Sequence, residues 1–227
     1  MRERRLIIAI DGPAGSGKST TARLVAKRIG YTYLDTGAFY RALTLKVLDA
    51  GIALEDAARI LQLAAATQIE LQPHEEKNRI WMDGREVTNM IREPRVTNAV
   101  APIAANPEVR ALMVEKQRAI GRNGGVVMEG LDIGTVVFPQ AEVKIFMQAS
   151  LEARARRRQE ELAAMGIARD FTTLQAEIAE RDEKDTSRKH APLLRAPDAV
   201  LLDTTQMTIE QQVDFIVHTV EKKLGAL

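Results

Sequence analysis

Apolar residues recur along this chain in two rhythms. Short unbroken runs, LIIAI at Leu6 to Ile10, VVME at Val126 to Glu129, VKIFM at Val143 to Met147 and AVLL at Ala199 to Leu202, have the texture of strands buried on both faces. YTYLD at Tyr31 to Asp35 is a shorter strand of the same kind. Between them the spacing turns helical. Ala22, Val25, Ala26 and Ile29 recur at helical intervals over Ser19 to Ile29, and Gly30 supplies the stop. Gly37 to Asp49 and the alanine-rich Leu54 to Ala66 read as the next two helices. Later come Pro107 to about Arg122 (with proline in the first turn), the highly charged Leu151 to Met165, Thr172 to about Lys189, and a last helix opened by Thr208. Strand alternating with helix predicts an α/β fold, a doubly wound parallel sheet of about five strands.

One segment breaks the alternation. Gln68 to Leu71, Arg79 to Met82 and Glu86 to Val87 look like short strands, with Asp83-Gly84 as a hairpin turn, and Pro94, Pro102 and Pro107 follow closely. Residues 67–106 therefore read as an inserted antiparallel subdomain with short helices after it. Residues 1–66 and 107–227 make up the core.

The loop after the first strand narrows the function. Gly12, Gly17, Lys18 and Ser19 stand in the pattern G-x-x-x-x-G-K-[ST], between a strand and a helix. Backbone N–H groups of Gly12, Pro13, Ala14, Gly15, Ser16, Gly17, Lys18, Ser19 and Thr20 (proline apart, which has none) would cradle phosphate oxygens at a helix N-terminus. Lys18 would reach the β- and γ-phosphates, and Ser19 would ligate Mg²⁺. Asp11 could support the ion through water or stabilise the loop. The pattern implies a nucleoside triphosphate such as ATP; it does not choose a reaction.

Charge and composition mainly exclude. Lys plus Arg number 32 against 31 Asp plus Glu, a net charge of +1, so nothing draws the whole chain to nucleic acid. With no cysteine there are no disulfides or thiolate metal sites, and His74, His190 and His218 lack metal-ligand spacing. The start is charged at Arg2, Glu3, Arg4 and Arg5, and only a short apolar run follows. No signal peptide or membrane span is expected, and a cytoplasmic protein is.

Several charged constellations are open to two readings. Thr36 and Arg41 follow the second strand on its ligand side, where Thr36 could cap a helix and Arg41 face either ligand or solvent. Arg110, taken alone, reads as an exposed arginine. Arg154, Arg157 and Arg158 share one helix face, as a phosphate clamp or a solvated face. Arg181, Asp185 and Arg188 form another stripe, an ion-pair ladder or a site for phosphate and sugar. Trp81 and Met82 read as core of the insert.

Taken in order, IAIDGPAGSGKST, LDTGAFYR, VTNAV, DIGTVVFP, EVKIFM, RARRR, ERDEKD and the APL at Ala191 to Leu193 resemble the bacterial cytidylate kinases. The likeness runs from Leu6 to about Val220, and residues 67–106 match that group's enlarged monophosphate-binding region. The resemblance implies a P-loop nucleoside monophosphate kinase that moves the ATP γ-phosphoryl group to CMP or dCMP. It implies catalytic roles for Lys18, Arg41, Arg188, Arg154 and Arg158, with Arg157 on ATP and a short lid at about 153–171. It implies a CMP site of Thr36, Tyr40, Arg41, Ala101, Arg110, Leu131, Asp132, Arg181, Asp185 and Arg188. Arg110 and Asp132 would read cytosine, Arg181 and Asp185 the sugar, and Arg41 and Arg188 the acceptor phosphate. Two positions depart from the family pattern: Leu131 where members carry Arg, and Ala101 where they carry Ser. The first removes a phosphate-binding guanidinium and predicts a weakened kinase. The rival is a catalytically degenerate nucleotide-binding or regulatory protein on the same fold. A switch GTPase is disfavoured, because no N-K-x-D motif is present. Small-molecule substrates and a monomeric chain are expected.

Overall fold

A computed structural model describes residues 5–72, 74 and 78–226, so Arg2, Glu3 and Arg4 lie outside the described residues. Strand β1 (Ile7–Asp11) runs into α1 (Lys18–Ile29), followed by β2 (Thr32–Asp35), α2 (Gly37–Asp49) and α3 (Ala57–Ala66). Then come β3 (Ile69–Gln72), β4 (Arg79–Met82), β5 (Arg85–Glu86), a 3₁₀ turn at Met90–Arg92, α4 (Pro94–Ala105) and α5 (Pro107–Gly121). The chain closes with β6 (Val126–Gly130), a π-helical turn at Ile133–Val137, β7 (Val143–Gln148), α6 (Leu151–Ala164), α7 (Phe171–Ser187), β8 (Val200–Asp203) and α8 (Ile209–Gly225). The expected parallel sheet is present, in the order β2-β6-β1-β7-β8.

The chain divides into two compact units, Met1–Tyr31 with Gly124–Leu227, and Thr32–Asn123. In the first, β1 pairs in parallel with β6 (Ile8 opposite Val127) and with β7 (Ile8 opposite Val143), and β7 pairs with β8. Ile8, Ala9 and Ile10 are wholly buried, which is why this strand reads as an unbroken apolar run. Helix α1 packs on α8, and α6 on α7.

The second unit is wider than the 67–106 insert that the sequence suggests. It also holds α2, which packs against α4 and the 3₁₀ turn, and α3, which packs against α5. Its sheet β3-β4-β5 is antiparallel, with Ile69 opposite Met82 and Trp81 opposite Glu86. The hairpin turn falls at Asp83-Gly84, both left-handed at φ 49° and 78°, as a two-residue turn of this kind requires.

Four expectations need correcting. The third helix starts at Ala57, not Leu54, because Asp56 caps it by accepting from Arg59 N at 3.1 Å. In place of short helices after the insert, α4 runs for 12 residues straight through Pro102. Val96, Ala99 and Ile103 bury one face of α4, and that packing outweighs the missing proline N–H. Helix α7 stops at Ser187 because Arg188 is extended (φ −62°, ψ 141°), so Arg188 does not continue the stripe of Arg181 and Asp185. The polar loop after β6 winds into the π-helical turn at Ile133–Val137.

Candidate active site

The phosphate loop leaves the carboxyl end of β1, the central strand. Gly12 has φ 148°, and a Cβ there would lie 2.0 Å from the Met147 carbonyl oxygen on β7. Only glycine lets the loop cross so close to its neighbour. Gly17, at φ 95°, turns the chain into α1. Lys18 is buried, and its Nζ donates to Pro13 O at 2.9 Å across the loop. Burial pushes its pKa down; Glu129 opposes this most strongly, Arg181 adds to it, and Asp11 and Asp185 oppose it. The Ser19 hydroxyl donates to Glu129 Oε1 at 2.6 Å. Ser16 Oγ is buried with no hydrogen-bond partner. Pro13, Ala14 and Gly17 are partly exposed, and Gly15 and Thr20 are exposed.

Glu129 escaped the sequence reading. It is a carboxylate at the carboxyl end of an apolar strand, 5% exposed, and such placement was the one available signal. Asp11 sits one residue before the loop. Its Oδ1 accepts from Ile133 N and its Oδ2 from Gly134 N, each at 2.7 Å, so it shapes the turn after β6. Burial, reinforced by Asp132, outweighs those two N–H groups and raises the Asp11 pKa to about 6. Asp132 is buried at the head of that turn, and Leu131, half-buried, directly follows β6.

The three arginines of α6 have three different settings. Arg158 is exposed and pairs with Glu161 at 2.6 Å. Arg157 donates to Thr204 and, at 3.4 Å, to Gly15 O of the phosphate loop. Arg154, expected in a phosphate clamp, is buried and committed to protein acceptors. It meets Asp182 through both terminal nitrogens at 2.9 and 2.5 Å, and its other N–H groups reach Ala14 O at 3.2 Å and Ala149 O at 3.1 Å. Near the end of α7, Asp185 lies 3.8 Å from Arg181 Nε and 3.9 Å from Arg188 Nη1. Its Oδ2 is buried without a hydrogen-bond partner, and burial raises its pKa. Arg181 is exposed and Arg188 largely covered.

The remaining candidates belong to the second unit. Thr36 stands before α2, but Asp35 does the capping, accepting from Ala38 N at 3.2 Å. Asp35 also holds Arg41 at 2.6 Å and Arg92 at 3.4 Å. Arg41 Nε is buried without a hydrogen-bond partner. Arg110 is not the exposed arginine that its sequence position suggests. It is 6% exposed, donates to Ala104 O at 3.1 Å, and lies 5.5 Å from the centroid of the Tyr40 ring, a cation–π arrangement. Ala101 is exposed on α4. The structure thus groups Lys18, Ser19, Asp132, Arg157, Arg181, Asp185 and Arg188 in one unit, and Thr36, Tyr40, Arg41, Ala101 and Arg110 in the other.

Among the described residues no group of three or more His, Asp or Glu is arranged to hold a metal ion. No described helix is long and apolar enough to cross a membrane.

A family model described as cytidylate kinase matches residues 8–222. The chain is 51% identical over 223 residues to a cytidylate kinase of Geobacillus thermodenitrificans (strain NG80-2), covering 98% of this chain and 100% of that one. It is 49% identical over 220 residues to a cytidylate kinase of Ligilactobacillus salivarius (strain UCC118), covering 97% and 98%. A solved structure of an uncharacterized protein from Eubacterium ventriosum ATCC 27560 matches 96% of this chain and 99% of its own. Its TM-score of 0.51 at 12% identity is a likeness of fold alone.

Proposed function

The chain belongs to the cytidylate kinase family, and on that premise we propose that it transfers the γ-phosphoryl group of ATP to CMP or dCMP, giving ADP and CDP or dCDP. The observation that carries this reading is the phosphate loop, in which Lys18 is buried beside Glu129 and Ser19 is bonded to that same carboxylate. Phosphoryl transfer is mainly a matter of position and charge. The acceptor oxygen of a nucleoside monophosphate is already anionic, so no general base is needed. Lys18 offers its ammonium to the β- and γ-phosphate oxygens, and the loop amides hold the phosphate chain. The buried, unpartnered Ser16 hydroxyl is a further donor for that chain.

Mg²⁺ fits the pair of Ser19 and Glu129. Both are hard oxygen donors, and the serine can ligate through its oxygen while its hydroxyl proton is donated in a hydrogen bond to the carboxylate. With no acidic cage among the described residues, most ligands would be phosphate and water, as is usual for this ion. Held there, the ion would supply positive charge against the triphosphate, beside that of Lys18.

On the acceptor side, Asp185 has a buried oxygen available for a sugar hydroxyl, with Arg181 beside it. In the first unit we assign Arg188 to the acceptor phosphate and Asp132 to the base; in the second we assign Arg41 to the phosphate and Arg110 to the base, with Thr36, Tyr40 and Ala101 as further acceptor-side residues. Arg157 and Arg158 serve the triphosphate from the lid. Arg154 serves the same chemistry by holding other groups in place. Leu131 supplies no charge and slows the enzyme. We read the protein as monomeric and cytoplasmic. The catalytically silent rival finds no support, since Lys18, Ser19 and Glu129 form an intact donor-side set.

A coupled assay of ADP formation tests the reading. ADP should appear only with CMP or dCMP present, and AMP or GMP should be clearly poorer acceptors. Lys18→Ala should lower kcat by about two to four orders of magnitude. ADP formation indifferent to CMP, or near wild-type turnover by a folded Lys18→Ala protein, overturns it.

A further inference from the structure

The geometry points to Asp182 as a positioning residue for phosphoryl transfer: through Arg154 it fixes α7, with Arg181 and Asp185, against the phosphate loop. The chain of contacts lies within one unit. Arg154 is 5% exposed, and its guanidinium meets both Asp182 oxygens side by side. The same Nη1 continues to Ala14 O in the crest of the phosphate loop. The arginine stem supports that crest too, since a Cβ on Gly15 would lie 3.2 Å from Arg154 Cβ. One guanidinium therefore joins α7 to the loop directly.

What hangs on α7 makes this matter. Asp182 follows Arg181 and lies three residues before Asp185, one helical turn away. Arg181 and Asp185 both act electrostatically on Lys18, so this part of α7 lies within reach of the lysine's charge. A rotation of α7 would change their placement relative to Lys18 with no element of the sheet moving.

The energetics agree. A buried ion pair adds little net stability over apolar residues of similar shape, because both charges must be desolvated. What a forked arginine–carboxylate pair supplies is fixed geometry. Two parallel bonds resist both sliding and rotation of one helix on the other. That property suits a reaction in which a misplacement of about 1 Å can cost a hundredfold in rate.

This inference rests on the kinase reading and on the assignment of Arg181 and Asp185 to the acceptor. The wild-type coupled assay is therefore run alongside: no CMP-dependent ADP formation by the wild type removes that reading itself. Given an active wild type, Asp182→Asn should lower kcat by about ten- to a hundredfold and raise KM for CMP. The Kd for ATP, measured by direct binding, should stay within about threefold, as expected for a residue that acts only through another. Asp182→Glu, which keeps the forked acceptor, should recover much of the loss. Arg154→Lys should resemble Asp182→Asn in kcat, and the double variant should be no slower than the slower single one. A purely structural role would lower the melting temperature and leave kcat and KM unchanged well below it. A folded Asp182→Asn protein with wild-type kcat and KM, or a double variant whose losses multiply, overturns the inference. Should Asp182→Asn not fold, Arg154→Lys decides in its place: wild-type kinetics there overturn the inference, and the predicted loss supports it.

Discussion

Glu129 offers the sharpest test of the donor side, because it acts on two functional groups at once. Its carboxylate accepts the Ser19 proton at 2.6 Å, and it is the strongest charge opposing the fall in the Lys18 pKa. Glu129→Ala removes both. Losing a hydrogen bond to a charged group costs about 1.5–3 kcal/mol, or roughly 10- to 150-fold in rate if the bond is needed in the transition state. Glu129→Gln can still accept the serine proton but lacks charge, so its loss belongs near the lower end of that range. The second effect has a definite sign. Lys18 acts as an ammonium, and burial already favours its neutral form. Without Glu129 its pKa falls further, so the alkaline limb of kcat against pH moves to lower pH. The assay is the coupled measurement of ADP release at saturating ATP and CMP, run as a pH series and as a Mg²⁺ titration. Both variants should need more Mg²⁺ for half-maximal rate, alanine more than glutamine. A folded Glu129→Ala enzyme with kcat within about twofold of wild type, well short of the 10-fold minimum, and an unmoved alkaline limb would falsify the reasoning.

Two further predictions concern the turn after β6. Leu131→Arg should raise kcat/KM for CMP by at least about tenfold with little change in ATP affinity, because a forked cation is restored close to the acceptor phosphate; a revertant no faster than wild type would mean that Arg41 or Arg188 already supplies the charge. Asp11, raised from 3.8 to about 6, is more easily protonated in the folded state than in the unfolded one, so its contribution is full below about pH 4 and is lost as pH rises through about 6. The stability of wild type relative to Asp11→Asn should therefore fall by about 2–3 kcal/mol between pH 4 and pH 7, read by urea denaturation; parallel stability–pH curves would contradict the burial argument.

The sequence alone determined whatever is written in local periodicity. Unbroken apolar runs marked β1, β6 and β7 because a central parallel strand is covered on both faces. The glycine spacing marked the phosphate loop, because Gly12 and Gly17 need backbone conformations closed to other residues. Asp83-Gly84 marked its hairpin for the same reason. Tertiary structure decided the pairings. Ser19 meets Glu129 across 110 residues, and Arg154 meets Asp182 across 28. No local pattern encodes such partners, so Glu129 read as the end of a strand and Arg154 as one arginine of a clamp. Pro102 takes one N–H from the ladder of α4, yet the buried face of α4 carried the helix through it. Arg110 read as a solvated charge until folding set its guanidinium near the Tyr40 ring and over the Ala104 carbonyl. A charged residue shows its type in sequence, but what it does depends on which acceptors surround it and how much water remains, and both are properties of the packed chain.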